Sequence, residues 1–365
     1  MTLTTKRNQT IDFLRTVAVM LTLFRHFGVN AFLYKIGWIG VDLFFVLSGF
    51  LVSGLLFNEH KKTGKINFFR FFVRRGLKIY PLFYLLIACF ILEVKLNPQV
   101  LLSIPHLLSE IFFYKNYTGG DIFLVHTWSI DVEEHFYLLL PLLLLVIAKV
   151  STNTQNPFKS LPYIFVFVAV SCLALRIYTN HKYRAFEHIL HVSPTHLRID
   201  SLFFGTLLSY FYSYYFDRLK TLIVKYRPQI LLCVLLLLTP AFVLWDSNLF
   251  MRIWGYLCLY VAFGGVILLG LFSDNPISTI LAPSYRFAAR LGFYSYATYI
   301  IHWPIYYWFV MPHLSYLDTH YPEKVLVFIG YVLACFTLGW AFSKTIELPF
   351  LALRDKLFPS TSNAL

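Results

Sequence analysis

Long apolar runs separated by short polar breaks fill this 365-residue chain almost end to end. Ten runs are long enough to cross a hydrocarbon core of about 30 Å as helices. They fall near residues 11–33, 38–57, 79–96, 126–149, 161–180, 197–216, 229–247, 250–272, 290–311 and 324–346. The pattern predicts an all-α polytopic membrane protein, a single integral domain over residues 1–365 with about ten transmembrane helices. An even number of crossings puts both termini on one side. Two segments depart from the pattern. Residues 68–78 read FFRFFVRRGLK, with Arg70, Arg74, Arg75 and Lys78 set among aromatic residues, which predicts an amphipathic helix lying at the inner interface. Residues 97–125 read as an outer loop with apolar patches and a turn signal at Gly119-Gly120.

Polar residues that interrupt the apolar runs are the candidates for chemistry. The first run carries Asp12, Arg15, Arg25 and His26. A charge at the centre of a membrane helix costs about 2.5–3.5 kcal/mol even on the mildest scale, so such groups usually face a cavity with a function. Arg15 and His26 are eleven residues apart, which on a helix places both on one face, about 16 Å apart along the axis. Arg25 points about 100° away from His26. Asp12 and Arg15, at i and i+3, are placed for an ion pair. Asp42 opens the second run. The fourth begins HTWSIDVEEHF, with Ser129, Asp131, Glu133, Glu134 and His135. The sixth begins with Arg198 and Asp200, and the ninth carries His302 ahead of Trp303-Pro304. Glu133 is placed either to orient an imidazole or to pair with Arg198, and Pro304 to kink its helix.

On this topology Arg15 and the 70–78 run lie toward the inside. His26, Asp42, the Glu133 group and Arg198/Asp200 lie in the outer half. A basic inner mouth below a His- and carboxylate-rich chamber suits a reaction between an anionic cytosolic donor and an acceptor from the other side. A secondary transporter or flippase would account for intramembrane charge equally well.

Composition narrows the class. With 58% hydrophobic and 13% charged residues, a soluble domain of this size has too little polar surface. The formal charge of +13 falls mostly on the inner segments, so it reads as positive-inside topology rather than nucleic-acid binding. The cytoplasm is therefore the side expected for both termini. The first run has no small-residue cleavage site and is expected to stay as a signal anchor. The five cysteines lie in apolar runs without CxxC or metal-ligand spacing, so they read as core residues and no metal is expected.

Taken together the strings resemble the acyltransferase-3 family of integral membrane O-acyltransferases. IDFLRTVAVMLTLFRH, GWIGVDLFFVLSGFLVSGLL, RRGLKIYP, HTWSIDVEEHFYLLLP, RIDSLFFG, SYATYIIHWP and the terminal Glu347-Leu-Pro follow the family's order over essentially the whole chain. Lys78 stands where the family more often has Arg, Phe13 where Gly is common, and Asp131 and His135 where Ser and Gln are usual. The resemblance implies transfer of an acyl group, most simply acetyl from acetyl-CoA, to a hydroxyl of a cell-surface polysaccharide, lipopolysaccharide or glycolipid precursor at the bacterial inner membrane. It implies His26, Arg15 and Glu133 as catalytic residues and Arg74, Arg75 and Lys78 as the CoA-binding group. Asp12, Asp42, Ser129, Arg198, Asp200 and His302 would support them. Direct transfer and transient acylation of His26 both stand open at this level. Acceptor choice is expected to reside in outer loops such as 97–125 and 181–196.

Overall fold

The computed structural model describes residues 8–97, 103–119, 122–273 and 281–359, and Gly120 lies outside them. Every described regular element is helical. Each of the ten expected runs falls on helix, but length and apolarity alone give fewer crossings. Among the described residues five helices pass that test: Ala31–Thr63, Phe68–Leu96, Leu161–Lys182, Met251–Leu271 and Tyr321–Leu357. A sixth follows if Phe216–Lys225 and Arg227–Val243, bent by 79°, form one crossing. The remaining expected runs are short, broken or polar, for physical reasons visible in the sequence. Gln9–Phe27 and Trp128–Val150 carry the charges just described. Ile199–Tyr214 has only 16 residues, and the ninth run is divided among Ala282–Phe293, Ser295–Ile305 and the wider turn Tyr306–Val310.

The third run needs a correction. The amphipathic segment at 68–78 and the expected crossing at 79–96 are one continuous helix, Phe68–Leu96. Asn67 starts it by accepting a hydrogen bond from the Arg70 N–H at 2.9 Å, and Pro81 sits inside without ending it. The basic face is therefore rigidly joined to the apolar half and projects into the protein.

At the centre, Ile39–Thr63 packs along Ile199–Tyr214 through two glycines. A Cβ at Gly49 would overlap the Leu202 carbonyl, and one at Gly205 the Val46 carbonyl. Small residues let helix backbones approach closely where lipid supplies no hydrophobic driving force. This pair carries two fully buried ion pairs. Arg198 holds Asp42 at 2.7 Å, and Arg176, from Leu161–Lys182, holds Asp200 at 2.6 Å. The guanidinium of Arg198 also lies 4.1 Å from the Tyr256 ring centroid. The expected alternative of Arg198 pairing with Glu133 is thus replaced by Asp42. Asp42, Arg198 and Asp200 clamp helices together, and Arg176 completes the clamp.

Candidate active site

Gln9–Phe27 begins at Asn8, whose side chain accepts from the N–H groups of Thr10 and Ile11. It runs unbroken to Phe27, so Arg15 and His26 share one rigid rod. Its neighbour Ala282–Phe293 approaches so closely that a Cβ at Gly292 would overlap the Asp12 carbonyl. Asp12 itself is buried. Arg25 leaves the His26 face, as its position on the helix requires, and pairs with Asp246 at 2.6 Å.

Around His26 the structure gathers three imidazoles. His26 Nδ1 lies 2.8 Å from His302 Nε2. His302 Nδ1 contacts the Tyr299 carbonyl, and the His126 ring meets His302 edge-on with centroids 5.0 Å apart. Trp303 closes the other side of His26 at 4.8 Å between centroids. The tautomers follow from the acceptors. A carbonyl oxygen only accepts, so His302 Nδ1 carries the proton there. In neutral His302, Nε2 is then a lone pair that accepts from His26 Nδ1–H. That leaves His26 Nε2 as the bare nitrogen, and no described residue hydrogen-bonds it. The arrangement is carbonyl, orienting imidazole, basic imidazole, a relay with the logic of a catalytic triad. Pro304 is accommodated because the helix widens at Tyr306–Val310 instead of breaking.

His26 also lines a pocket of about 510 Å³ bounded by residues 28–34, Trp245, Tyr306 and 314–324.

A second group forms at the other end of the rod. The Arg75 guanidinium lies 4.6 Å from the Tyr137 ring centroid. Tyr137 Oη donates to Glu133 Oε2 at 2.6 Å and lies 2.5 Å from Ser48 Oγ. Arg75, Arg15 and Lys78 are the cations that act electrostatically on Glu133. Glu133 therefore sits with the basic residues Arg75, Arg15 and Lys78 rather than beside Asp42, which pairs with Arg198. The turn Ile122–Thr127 tucks inward, with His126 Nε2 donating to the Ile300 carbonyl at 3.1 Å, so Trp128–Val150 starts deep and carries Glu133 further in. Arg75, Lys78, Arg15 and Glu133 all keep half-buried side chains despite their central position. Arg75 Nε is buried with no hydrogen-bond partner, a donor left for an anion.

Tyr299 lies between the two groups. Its hydroxyl donates to the His126 carbonyl at 2.7 Å and so accepts from Ser129 Oγ at 2.6 Å. Glu133 acts on it electrostatically from the inner side. Arg74 stands apart from Arg75. It binds Asp355 at 3.0 Å and the Phe358 carbonyl, tying Phe68–Leu96 to the last helix.

Three contributors were not singled out from the sequence: His126, Tyr137 and Tyr299. Each lies within a string that carried the family resemblance, but single tyrosines among 25 give no signal without geometry. Asp131 and His135 turn outward from Glu133. Asp131 accepts from the Asn116 N–H at 2.9 Å, and His135 Nδ1 lies 2.6 Å from Thr195 Oγ1. Among the described residues no group of three or more His, Cys, Asp or Glu is placed to hold a metal.

Residues 8–348 match the family described as "Acyltransferase domain". The chain is 28% identical over 317 residues to the peptidoglycan O-acetyltransferase OatA of Listeria monocytogenes, covering 81% of this chain and 49% of that one. It is 26% identical over 312 residues to the O-acetyltransferase OatA of Staphylococcus aureus, covering 81% and 50%. The chain thus spans about half the length of the curated relatives it matches. No solved structure matches.

Proposed function

The chain belongs to the acyltransferase-3 family, and from that premise we propose that it is a membrane O-acetyltransferase that moves acetyl from cytosolic acetyl-CoA to a hydroxyl of a cell-surface glycan or glycolipid precursor. In this reading the chain crosses the inner membrane about ten times with both termini in the cytoplasm. The observation that carries it is the His302-oriented His26, whose free Nε2 adjoins an open pocket, on the same helix as a cation of the Arg75 group.

The donor brings an acetyl group already activated as a thioester. Arg75 and Lys78 hold its phosphates as charge-assisted partners. The unpartnered Nε of Arg75 fits that role, while Tyr137 supports the guanidinium from its face. Arg15 and Glu133 line the way between. Arg74, engaged with Asp355, fixes the helix and takes no phosphate. At the far end His26 Nε2 takes the proton of the acceptor hydroxyl as its oxygen bonds the acetyl carbon, and returns the proton to the departing CoA thiolate. His302 accepts from His26 Nδ1–H throughout and disperses the imidazolium charge toward the Tyr299 carbonyl.

The test uses purified protein in detergent with radiolabelled acetyl-CoA and glycan extracted from cells lacking the gene. Wild type labels the glycan, and His26→Ala protein of normal size-exclusion profile does not. Equal labelling by both removes His26 from the chemistry.

A further inference from the structure

The pocket beside His26 carries a step that rests on the acyltransferase reading and goes past it. Gln9–Phe27 ends one residue after His26, where Gly28 adopts φ +66°, a left-handed conformation that suits glycine. The chain reverses there, so the backbone from Gly28 to Ala31 becomes one side of the cavity. Asn30 Oδ1 accepts from the N–H groups of Phe32 and Leu33 at 2.8 and 3.3 Å, capping the next helix. Asn30 itself lines the pocket.

The other walls are aromatic: Tyr34, Trp245, Tyr306 and Tyr321. Two of them are held in place by cations. Arg25 lies 4.5 Å from the Tyr34 ring centroid and Lys35 5.6 Å from that of Trp245, and the two rings are 6.4 Å apart. The charged lining residues neutralise each other, with Lys324 bonded to Asp318 at 2.7 Å. Arg25 behind Tyr34 is likewise neutralised by Asp246. An anionic ligand would meet paired charge there.

We propose that this pocket is the acceptor subsite and that it takes one uncharged pyranose unit of a glycan from the outer face, with a ring hydroxyl directed at His26 Nε2. Aromatic walls stack on the apolar C–H face of a sugar ring, and a few fixed polar groups orient its hydroxyls. The volume of about 510 Å³ lies within the usual range for small-molecule sites. Acceptor choice then resides in residues 28–34, Trp245 and 314–324, and not in the 97–125 or 181–196 loops that the sequence suggested.

Two measurements test this. In intact cells, Ala31→Cys is expected to react with a membrane-impermeant maleimide; reaction only after permeabilisation would place the pocket on the inner side and overturn the proposal. In detergent, with acetyl-CoA and unacetylated surface glycan from a gene-deleted strain, Trp245→Ala is expected to raise the glycan KM at least tenfold with the acetyl-CoA KM unchanged. Tyr117→Ala, in the 103–119 segment, is expected to leave the glycan KM within twofold. Raising salt from about 50 to about 500 mM is expected to change that KM little, since an uncharged ligand is not screened. A normal glycan KM in Trp245→Ala with transfer intact refutes the subsite and leaves the transferase reading standing. Absence of transfer by wild-type protein refutes both.

Discussion

Replacing His302 isolates the orienting imidazole from the base it serves. His302→Phe keeps a planar ring beside His26, Trp303 and His126 but removes both nitrogens. What is lost is the hydrogen bond at 2.8 Å that fixes the His26 tautomer and shares its charge once Nε2 is protonated. A hydrogen bond to a charged group contributes about 1.5–3 kcal/mol. At 1.36 kcal/mol per tenfold, that predicts a fall in kcat of about 10- to 150-fold. The bond matters most after proton transfer begins, so kcat falls while the acetyl-CoA KM stays within about twofold. His302→Gln restores an acceptor near the former Nε2 and is expected to recover most of the loss. The assay is release of free CoA thiol by detergent-solubilised protein in the presence of glycan, with monodispersity checked for each variant. A folded His302→Phe protein with kcat within threefold of wild type refutes the relay. Equal losses in the Phe and Gln variants point to packing and refute it as well.

Arg75→Ala is expected to raise the acetyl-CoA KM about 10- to 100-fold, the worth of a charge-assisted contact, with Arg75→Lys intermediate because the point charge remains without the fork geometry; isothermal titration with CoA alone reads the same loss. Asp42→Asn or Arg198→Met leaves a buried partner unpaired and is expected to cost about 3–5 kcal/mol, seen as a lower thermal midpoint in detergent, whereas the double variant Asp42→Leu/Arg198→Met recovers part of it.

Helical class and element positions were legible because apolar runs of about twenty residues leave few alternatives. The rod linking Arg15 to His26 was legible for the same reason: periodicity alone fixes a shared face once a helix is continuous. Partner choice was not. Asp42 and Glu133 are both acids near the start of apolar runs, and nothing local says that one takes Arg198 and the other the Arg75 group. That choice follows from how deep each helix begins. Depth depends on the turn Ile122–Thr127 folding inward under the His126–Ile300 contact, a long-range event without local periodicity. The joining of 68–78 to 79–96 was hidden for a different reason. Pro81 reads as a boundary, yet it lies midway along the helix, where neighbouring helices can satisfy the backbone groups it frees.

The same depth argument bears on how the two ends of the site cooperate. Glu133, carried by Trp128–Val150, does not act as a carboxylate partner of His26. Instead the backbone carbonyl of Tyr299 takes that role through His302, and Glu133 is free to join Arg75, Arg15 and Tyr137. A carbonyl orients an imidazole without adding a full negative charge next to it, so the base keeps a neutral surrounding that suits an uncharged acceptor. The cation Arg15, which the proposed donor site shares with Arg75, lies about 16 Å from His26 along the helix. In the proposed reaction, separation of charge along one rigid helix would sort an anionic donor from an uncharged acceptor, and a variant that moves a carboxylate next to His26 is expected to blur that sorting.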